Sequence, residues 1–295
     1  MSEMNDFLVR AEALLARIEA LLPAPPSPPS SLDWQTAVAF RWLKPAHAHG
    51  RGQLQAVAQP HRIRLDNLQG IDEQAQRIEQ NTRQFVAGHH ANNVLLTGAR
   101  GTGKSSLVKA MLDRYAAEGL RLIEIDKQDL IDLPEIVALV AARPERFIVY
   151  CDDLSFESGE PGYKALKSVL DGSIAGVPQN LLIYATSNRR HLMPEYLDEN
   201  LHGQRHGEEI HPAETVEEKV SLSERFGLWL SFYPFDQEHY LDICRAWLRE
   251  YGVPAMDEAL RQEALQWALS RGARNGRVAW QFARDTAGRR AGEGA

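Results

Sequence analysis

The residues most able to do chemistry form one glycine-rich segment in the first half of the chain. Residues 98–105 are Gly-Ala-Arg-Gly-Thr-Gly-Lys-Ser, which match the phosphate-loop pattern G-x-x-x-x-G-K-[ST] at every fixed position. An apolar, β-branched run at 94–97 precedes the segment and a helical pattern at 106–112 follows it. Because this strand–loop–helix context is the one that the motif requires, we expect the loop to bind the phosphates of a nucleotide.

Each part of this loop has an expected role. Its three glycines allow the backbone to wrap a phosphate chain with the N–H groups pointing inward. Lys104 would reach the β- and γ-phosphates with an amino group that faces solvent, and Ser105 would bind Mg²⁺ through its hydroxyl. The residues predicted to contact nucleotide here are Gly98, Ala99, Arg100, Gly101, Thr102, Gly103, Lys104, Ser105 and Ser106.

Other polar side chains follow apolar strands later in the chain. Asp152 and Asp153 follow an apolar run at 147–151, and Asn188 ends another run at 181–188. Open parallel sheets bind their ligands at the carboxyl ends of the strands. Asp152 is therefore expected to hold Mg²⁺ and Asp153 to polarise an attacking water. Asn188 would orient that water or contact the γ-phosphate.

Composition is that of an ordinary globular protein. The chain has 295 residues, of which 44% are hydrophobic and 25% charged, and its net charge of −7 does not suit a polycation that binds nucleic acid as a whole. Cys151 and Cys244 are predicted to be reduced core thiols rather than a disulfide. No apolar run approaches the roughly 18 residues of a membrane helix, and early acidic residues argue against a signal peptide. We therefore expect a cytoplasmic protein.

Hydrophobic periodicity divides the chain into three parts. Residues 1–30 are predicted to form an N-terminal helix, which packs on its own domain or docks on a partner, and a proline-rich linker. Residues 31–235 alternate five apolar strands with helices, which indicates an α/β domain with a parallel sheet covered on both faces. Residues 236–295 contain only helical patterns and are predicted to form a small helical subdomain.

One basic stretch allows two interpretations. Between residues 40 and 65 the chain has five arginines and lysines, no acidic residue, and the aromatic residues Phe40 and Trp42 near its start. Basic residues beside aromatic ones can bind a nucleic-acid strand. We favour the alternative, a solvated loop that balances an acidic body.

Several single residues also have a plain and a functional interpretation. Leu68 precedes a helix at 72–85 and could contact the adenine base. Arg225 could be a surface ion pair or a cation that acts on phosphate, and one of the arginines near 277 could fold over the nucleotide. A set of three histidines could bind zinc, although no cysteine accompanies them; these are His202, His206 and His211.

Taken together, residues 60–290 resemble the AAA+ ATPases. In that resemblance 98–105 is the Walker A motif, 148–153 is Walker B, and Asn188 is sensor 1. Arg225 falls in the arginine-finger region and Arg277 near sensor 2. The segments 222–227 and 276–282 are similar to parts of the Holliday-junction helicase motor. The stretches Cys-Asp-Asp-Leu-Ser-Phe-Glu and Arg-Phe-Gly-Leu-Trp-Leu-Ser-Phe-Tyr-Pro-Phe make the chain more similar to the DUF815 family of AAA+-like ATP-binding proteins.

The resemblance implies an ATPase that uses ATP and Mg²⁺ and works as a homo-oligomer on a protein partner or, less favoured, on nucleic acid. Arg225 would then reach the γ-phosphate of a neighbouring subunit. The superfamily usually has Asp-Glu where this chain has Asp152-Asp153, and the shorter carboxylate would hold the water less well, with Glu157 as a substitute base. The alternatives are an ATP-dependent switch with little hydrolysis and a P-loop kinase, against which the helical subdomain and Arg277 argue.

Overall fold

One sheet organises the protein. The computed structural model describes residues 32–44, 52–156, 160–172, 178–188, 222–253 and 255–293. Seven strands of these residues form the sheet: β1 (Ala39–Leu43), β2 (Gln53–Ala56), β3 (Val94–Gly98), β4 (Leu120–Glu124), β5 (Arg146–Cys151), β6 (Leu181–Ser187) and β7 (Leu228–Phe232). Their spatial order is β2-β1-β4-β5-β6-β3-β7.

The five strands expected from the sequence form the parallel centre of this sheet. Strand β3 pairs with β6 on one side and with β7 on the other, and β5 lies between β4 and β6. All seven residues of β6 are buried. A strand that is buried along its whole length needs apolar residues at successive positions, which is why these strands are near-continuous apolar runs. The predicted α/β class is confirmed.

The basic stretch adds two strands that were not expected. Strand β1 pairs parallel with β4, and β2 returns antiparallel to β1 at the edge of the sheet. Phe40 and Trp42 are buried, and the Trp42 ring N–H donates to Asp132 at 3.0 Å. The expectation of a solvated loop is wrong for residues 39–43 and 53–56, because apolar side chains at alternate positions of β1 pack against the protein.

Seven α-helices whose bounds lie within the described residues pack around or beyond the sheet. They are α1 (Asp72–Val86), α2 (Lys104–Tyr115), α3 (Leu133–Val140), α4 (Pro161–Asp171), α5 (Gln237–Glu250), α6 (Glu258–Arg271) and α7 (Gly276–Glu293). Helices α5 to α7 share an apolar core of their own, in which Tyr240, Cys244 and Phe282 are fully buried. Aspartates at 236 and 257 cap α5 and α6 by accepting a backbone N–H from the first turn.

Both cysteines are free, as predicted. Cys151 ends β5 and Cys244 lies in α5, and each side chain is buried. Burial raises the pKa of each thiol to about 12. A thiol that stays protonated in this way is a poor nucleophile and metal ligand, so both cysteines act as small apolar core residues.

Some predictions fall on residues outside the described ranges. They concern the N-terminal helix and linker of residues 1–30, Glu157, and the three histidines at 202, 206 and 211. Among the described helices, none has the length and apolar character that crossing a membrane requires.

Candidate functional site

The glycine loop connects β3 to α2 at the carboxyl edge of the sheet. Gly98 has a φ of +130°, and a Cβ there would lie 1.9 Å from the Phe232 carbonyl oxygen of β7, so only glycine fits. Within the loop, Thr102 Oγ1 donates to the Ala99 carbonyl at 2.8 Å. Gly103 is in the left-handed conformation at the N-terminus of α2. The loop thus places its backbone N–H groups before a 12-residue helix, the arrangement that binds phosphate.

Lys104 is held inside this loop. Its Nζ donates to the carbonyl oxygens of Gly98 at 2.8 Å and Ala99 at 2.7 Å, and to Asn188 Oδ1 at 3.1 Å. Only 5% of the residue is exposed, so the expectation of a solvent-facing amino group is wrong. The amino group is buried because two carbonyl oxygens of the loop lie next to it and accept its hydrogen bonds. Burial lowers the pKa of Lys104, and the nearby carboxylate of Asp152 opposes this shift.

Ser105 and Asp152 lie side by side. Ser105 Oγ donates to Asp152 Oδ1 at 2.8 Å, and Thr186 Oγ1 donates to the same oxygen. Burial opposes ionisation of Asp152, but the hydrogen bonds from Thr186 and Ser105 outweigh it and hold its pKa below the ordinary value. A hydroxyl next to an ionised carboxylate supplies the hard oxygen ligands that Mg²⁺ takes in proteins. The two residues predicted to hold the metal therefore fit it.

Asp153 connects this pair to the loop lysine through Asn188. Asn188 Nδ2 donates to Asp153 Oδ1 at 2.6 Å, while its own Oδ1 accepts from Lys104. Arg100 of the loop lies 3.8 Å from the other carboxylate oxygen of Asp153. Asp153 has a φ of +53°, a conformation that aspartate and asparagine tolerate better than other side chains do. The structure thus brings together the predicted metal, base and sensor residues.

Thr186 is a residue that the sequence interpretation missed. Its hydroxyl donates to Asp152 and accepts the backbone N–H of Asp153 at 3.0 Å, so one side chain fixes both carboxylate positions. Thr186 is two residues before Asn188, and alternate residues of a strand share a face. That spacing was visible in the sequence, but the partner across the sheet was not.

The segment before α1 lies next to the loop on its other side. The half-buried Leu68 packs against the main core. The Ile71 Cδ1 atom lies 3.3 Å from where a Cβ of Gly103 would be, and Gly70 lies against Phe235, which precedes α5. This segment therefore lies between the loop and the helical subdomain. The predicted contact of Leu68 with adenine stays a prediction.

A cavity of about 260 Å³ opens at this junction, but it is not the phosphate site. Its lining combines two residues before α1 and the first residue of α1 with one side of α5: Gln69, Gly70, Asp72, His239, Asp242, Arg245 and Arg249. Residues of the glycine loop do not line it.

The helical subdomain contacts the loop through the start of α7. The Gly276 N–H donates to the Gly101 carbonyl at 2.8 Å, and the Asn275 side chain occupies the space that a Cβ of Gly101 would need. Asn275 Oδ1 also accepts the Val278 N–H. Arg277, the next residue after this contact, is exposed, as is Arg274. The predicted lid arginine thus follows directly on a residue bonded to the loop.

Arg225 lies in a turn before β7 and is bonded elsewhere. Its Nε donates to Asp171, the last residue of α4, and its side chain is about one quarter exposed. This contact is the ion pair that the sequence allowed as the plain interpretation. The role of Arg225 as an arginine finger stays a prediction.

The fold is that of the AAA+ class of P-loop ATPases. The chain is similar to the Orc1 protein of Aeropyrum pernix in its complex with DNA, with a TM-score of 0.51 and 16% identity, over 76% of this chain and 61% of that chain. A weaker likeness is to the RuvB Holliday junction branch migration motor of Thermotoga maritima, with a TM-score of 0.39 and 16% identity, over 75% of this chain and 71% of that chain. Another is to a DNA replication initiation factor, with a TM-score of 0.46 and 17% identity, over 73% of this chain and 61% of that chain. At such identities the likeness is one of fold.

A sequence model of one protein family, described as "Protein of unknown function (DUF815)", matches residues 35–290. The chain belongs to this family, and the resemblance inferred from the motifs is confirmed. Among curated proteins the comparison finds no match.

Proposed function

We propose that this protein binds ATP with Mg²⁺ in the 98–106 loop and hydrolyses it as a homo-oligomer to remodel a protein partner. The observation that carries the proposal is the bonded set at the edge of the sheet. Lys104, Asn188 and Asp153 form one hydrogen-bonded chain, and Ser105 and Asp152 form a second pair beside it. Phosphate, metal and water-directed groups thus share one site, which a protein that only binds phosphate would not need.

The roles follow from these positions. The loop N–H groups and the Lys104 amino group bind phosphate oxygens, for which Lys104 exchanges the carbonyl oxygens that it now contacts. Ser105 and Asp152 hold Mg²⁺, which neutralises charge on the phosphates when bound. Asp153 accepts a proton from the attacking water, and Asn188 orients the Asp153 carboxylate through its amide. Arg225 acts on the γ-phosphate of a neighbouring subunit and leaves Asp171 to do so.

A second candidate function is an ATP-dependent switch that hydrolyses little. The observation that favours it is the engagement of Asp153, which accepts a 2.6 Å hydrogen bond from Asn188 and lies near Arg100. An aspartate is one methylene shorter than the glutamate usual at this position, and a carboxylate that already accepts a hydrogen bond has one oxygen fewer to offer a water. Turnover would then be slow while nucleotide still changes the conformation.

A protein partner fits the surface charges better than nucleic acid does. Each described cation of the basic stretch lies near a carboxylate of the same chain, in the pairs Arg41–Glu124, Lys44–Asp132, Arg62–Asp113 and Arg64–Asp66. The aromatic side chains at 40 and 42 are buried, so bases could not stack on them. The described cations of this stretch are therefore already engaged with carboxylates, which leaves few of them to neutralise the phosphates of a nucleic-acid strand.

Nucleotide titration tests the binding part of the proposal. Lys104→Ala should weaken ATP binding by about 10- to 150-fold, the cost of about 1.5–3 kcal/mol for hydrogen bonds to a charged group. Lys44→Ala is the matched control, because it removes a lysine whose partner is Asp132, a carboxylate outside the glycine loop. Equal ATP affinity of folded Lys104→Ala and wild type would contradict the assignment of the loop.

Steady-state hydrolysis separates the two candidates. A remodelling ATPase assembled from several subunits should gain specific activity as protein concentration rises. A switch should bind MgATP and show negligible turnover at every concentration. Turnover that requires an added phosphate acceptor would instead indicate the less favoured P-loop kinase.

A further inference from the structure

Tyr150 carries a buried hydroxyl that the site described above does not use. The residue lies on β5, two positions before Asp152, and is 1% exposed. Its hydroxyl oxygen has no hydrogen-bond partner within the described part of the chain. Leaving a buried hydroxyl unbonded costs about 1–3 kcal/mol, so such a group in a close-packed core calls for an explanation.

The neighbouring strand shows what a satisfied tyrosine looks like in the same core. Tyr184 of β6 is directly opposite Tyr150 in the parallel register and is also fully buried. Its hydroxyl accepts from Asn81 Nδ2 at 3.2 Å and lies 2.9 Å from Thr82 Oγ1. The two tyrosines therefore share burial, strand position and size, and they differ in hydrogen bonding.

The Tyr150 hydroxyl faces the metal end of the site. Ser105, Asp152 and Thr186 are its polar neighbours, although it forms a hydrogen bond with none of them. Alternate residues of a strand point to the same face, which places Tyr150 and Asp152 on one side of β5. The unbonded hydroxyl is thus aimed at the pair that fits Mg²⁺.

We propose that Tyr150 is a positioning residue of the magnesium site, an inference that rests on the proposed function. At present the Ser105 hydroxyl hydrogen is donated to Asp152. When both oxygens turn lone pairs towards a cation, that hydrogen needs another acceptor. A phenol hydroxyl accepts one hydrogen bond and donates another, so Tyr150 can accept from Ser105 and donate to Asp152. Groups that orient metal ligands in this way strengthen metal binding.

The test is Tyr150→Phe, which removes one oxygen and keeps the ring. Affinity for a fluorescent ADP is measured with MgCl₂ and with EDTA, and the ratio gives the gain due to magnesium. We expect Tyr150→Phe to reduce that gain by about tenfold, at the lower end of the effects of removing a group that orients metal ligands. Affinity in EDTA should stay at the wild-type value. Thermal unfolding in EDTA should show no loss of stability, because the lost hydroxyl had no bonded partner.

Tyr184→Phe is the matched control. It removes an equally buried hydroxyl that is bonded to Asn81 and Thr82, so it should lower the melting temperature and leave the magnesium gain unchanged. An unchanged magnesium gain in Tyr150→Phe would overturn the inference, and so would an equal loss of affinity in MgCl₂ and in EDTA. If wild type itself showed no magnesium gain, the proposed function would fail, and the inference with it.

Discussion

The carboxyl edge of the sheet and the two arginines Arg225 and Arg277 differ in one respect. Within one chain the polar groups at the sheet edge are bonded to one another, but the arginines are not bonded to them. At the sheet edge, Lys104, Asn188 and Asp153 are bonded to one another, and a threonine hydroxyl fixes both aspartates. Arg225 is instead paired with Asp171, and Arg277 is exposed. A single subunit therefore orders Lys104 and the groups proposed to hold metal and water, while the two arginines stay outside that set.

This difference suggests that nucleotide binding and hydrolysis depend on different parts of the molecule. The groups at the sheet edge already lie together before nucleotide arrives and need only exchange hydrogen-bond partners, so we expect an isolated chain to bind nucleotide. The arginines can contribute after a neighbour or the helical subdomain moves. We therefore expect nucleotide binding and hydrolysis to separate in mutants, with binding sensitive to the sheet edge and hydrolysis sensitive to both regions.

The largest effect is expected for Arg225→Ala. As a finger, Arg225 would be worth roughly 10³–10⁵ in hydrolysis rate, with ATP affinity unchanged. Asp171→Ala is the matched control, because it breaks the same ion pair and leaves the arginine in place. Steady-state hydrolysis should collapse in Arg225→Ala and persist in Asp171→Ala.

Mixing experiments sharpen this prediction. Arg225→Ala and Asp153→Asn subunits together should recover part of the activity, because one intact composite site can form from two defective chains. If Arg225→Ala and Asp171→Ala behave alike and both hydrolyse normally, Arg225 is a surface ion pair and the monomeric switch becomes the better proposal.

The next effect concerns Asp153. Removing a general base costs roughly 10²–10⁴ in rate, so Asp153→Asn should bind MgATP nearly as wild type does and lose hydrolysis. Asparagine is preferred to alanine here because the backbone is left-handed at this position, and alanine would add strain. Single-turnover assays with bound MgATP measure the rate. Wild-type rates in Asp153→Asn would move the base elsewhere, with Glu157 the next residue to test.

A smaller effect is expected at the start of α7. Arg277→Ala should weaken ATP binding or hydrolysis by about tenfold, the value of roughly 1.5 kcal/mol for a bond to a charged group. Arg284→Ala is the control, since that arginine lies two turns further on and stacks over Trp280 at 4.6 Å. Equal kinetics of the two variants would remove Arg277 from the site and leave Arg274 as the candidate lid arginine.

The smallest functional effect is expected for Thr186→Val. It deprives Asp152 of a donor and the Asp153 N–H of its acceptor, which should cost about 1–3 kcal/mol in the free energy of unfolding. Thr82→Val, at a buried threonine bonded to Ile78 and Tyr184, should cost a similar amount. Denaturant unfolding compares the two. Affinity for MgADP should fall severalfold in Thr186→Val alone, and a parallel fall in Thr82→Val would show that it reflects stability.

Much of the fold could be predicted because its information is local. The five parallel strands are near-continuous apolar runs, and the glycine loop has residues that the backbone geometry demands, such as Gly98 against the Phe232 carbonyl. The helical subdomain shows helical spacing, with capping aspartates at two of its starts. The family could also be recognised, since long stretches of its pattern stand in the sequence.

Other features depended on the tertiary structure because they join residues far apart in the chain. The strands at 39–43 and 53–56 exist through pairing at the sheet edge and burial of Trp42, which a count of basic residues does not show. The burial of Lys104, the double role of Thr186 and the unbonded hydroxyl of Tyr150 arise where loop and strand ends meet. The sequence determined which chemical groups reach that edge, and packing decided which of them bond to one another and which stay free for a ligand.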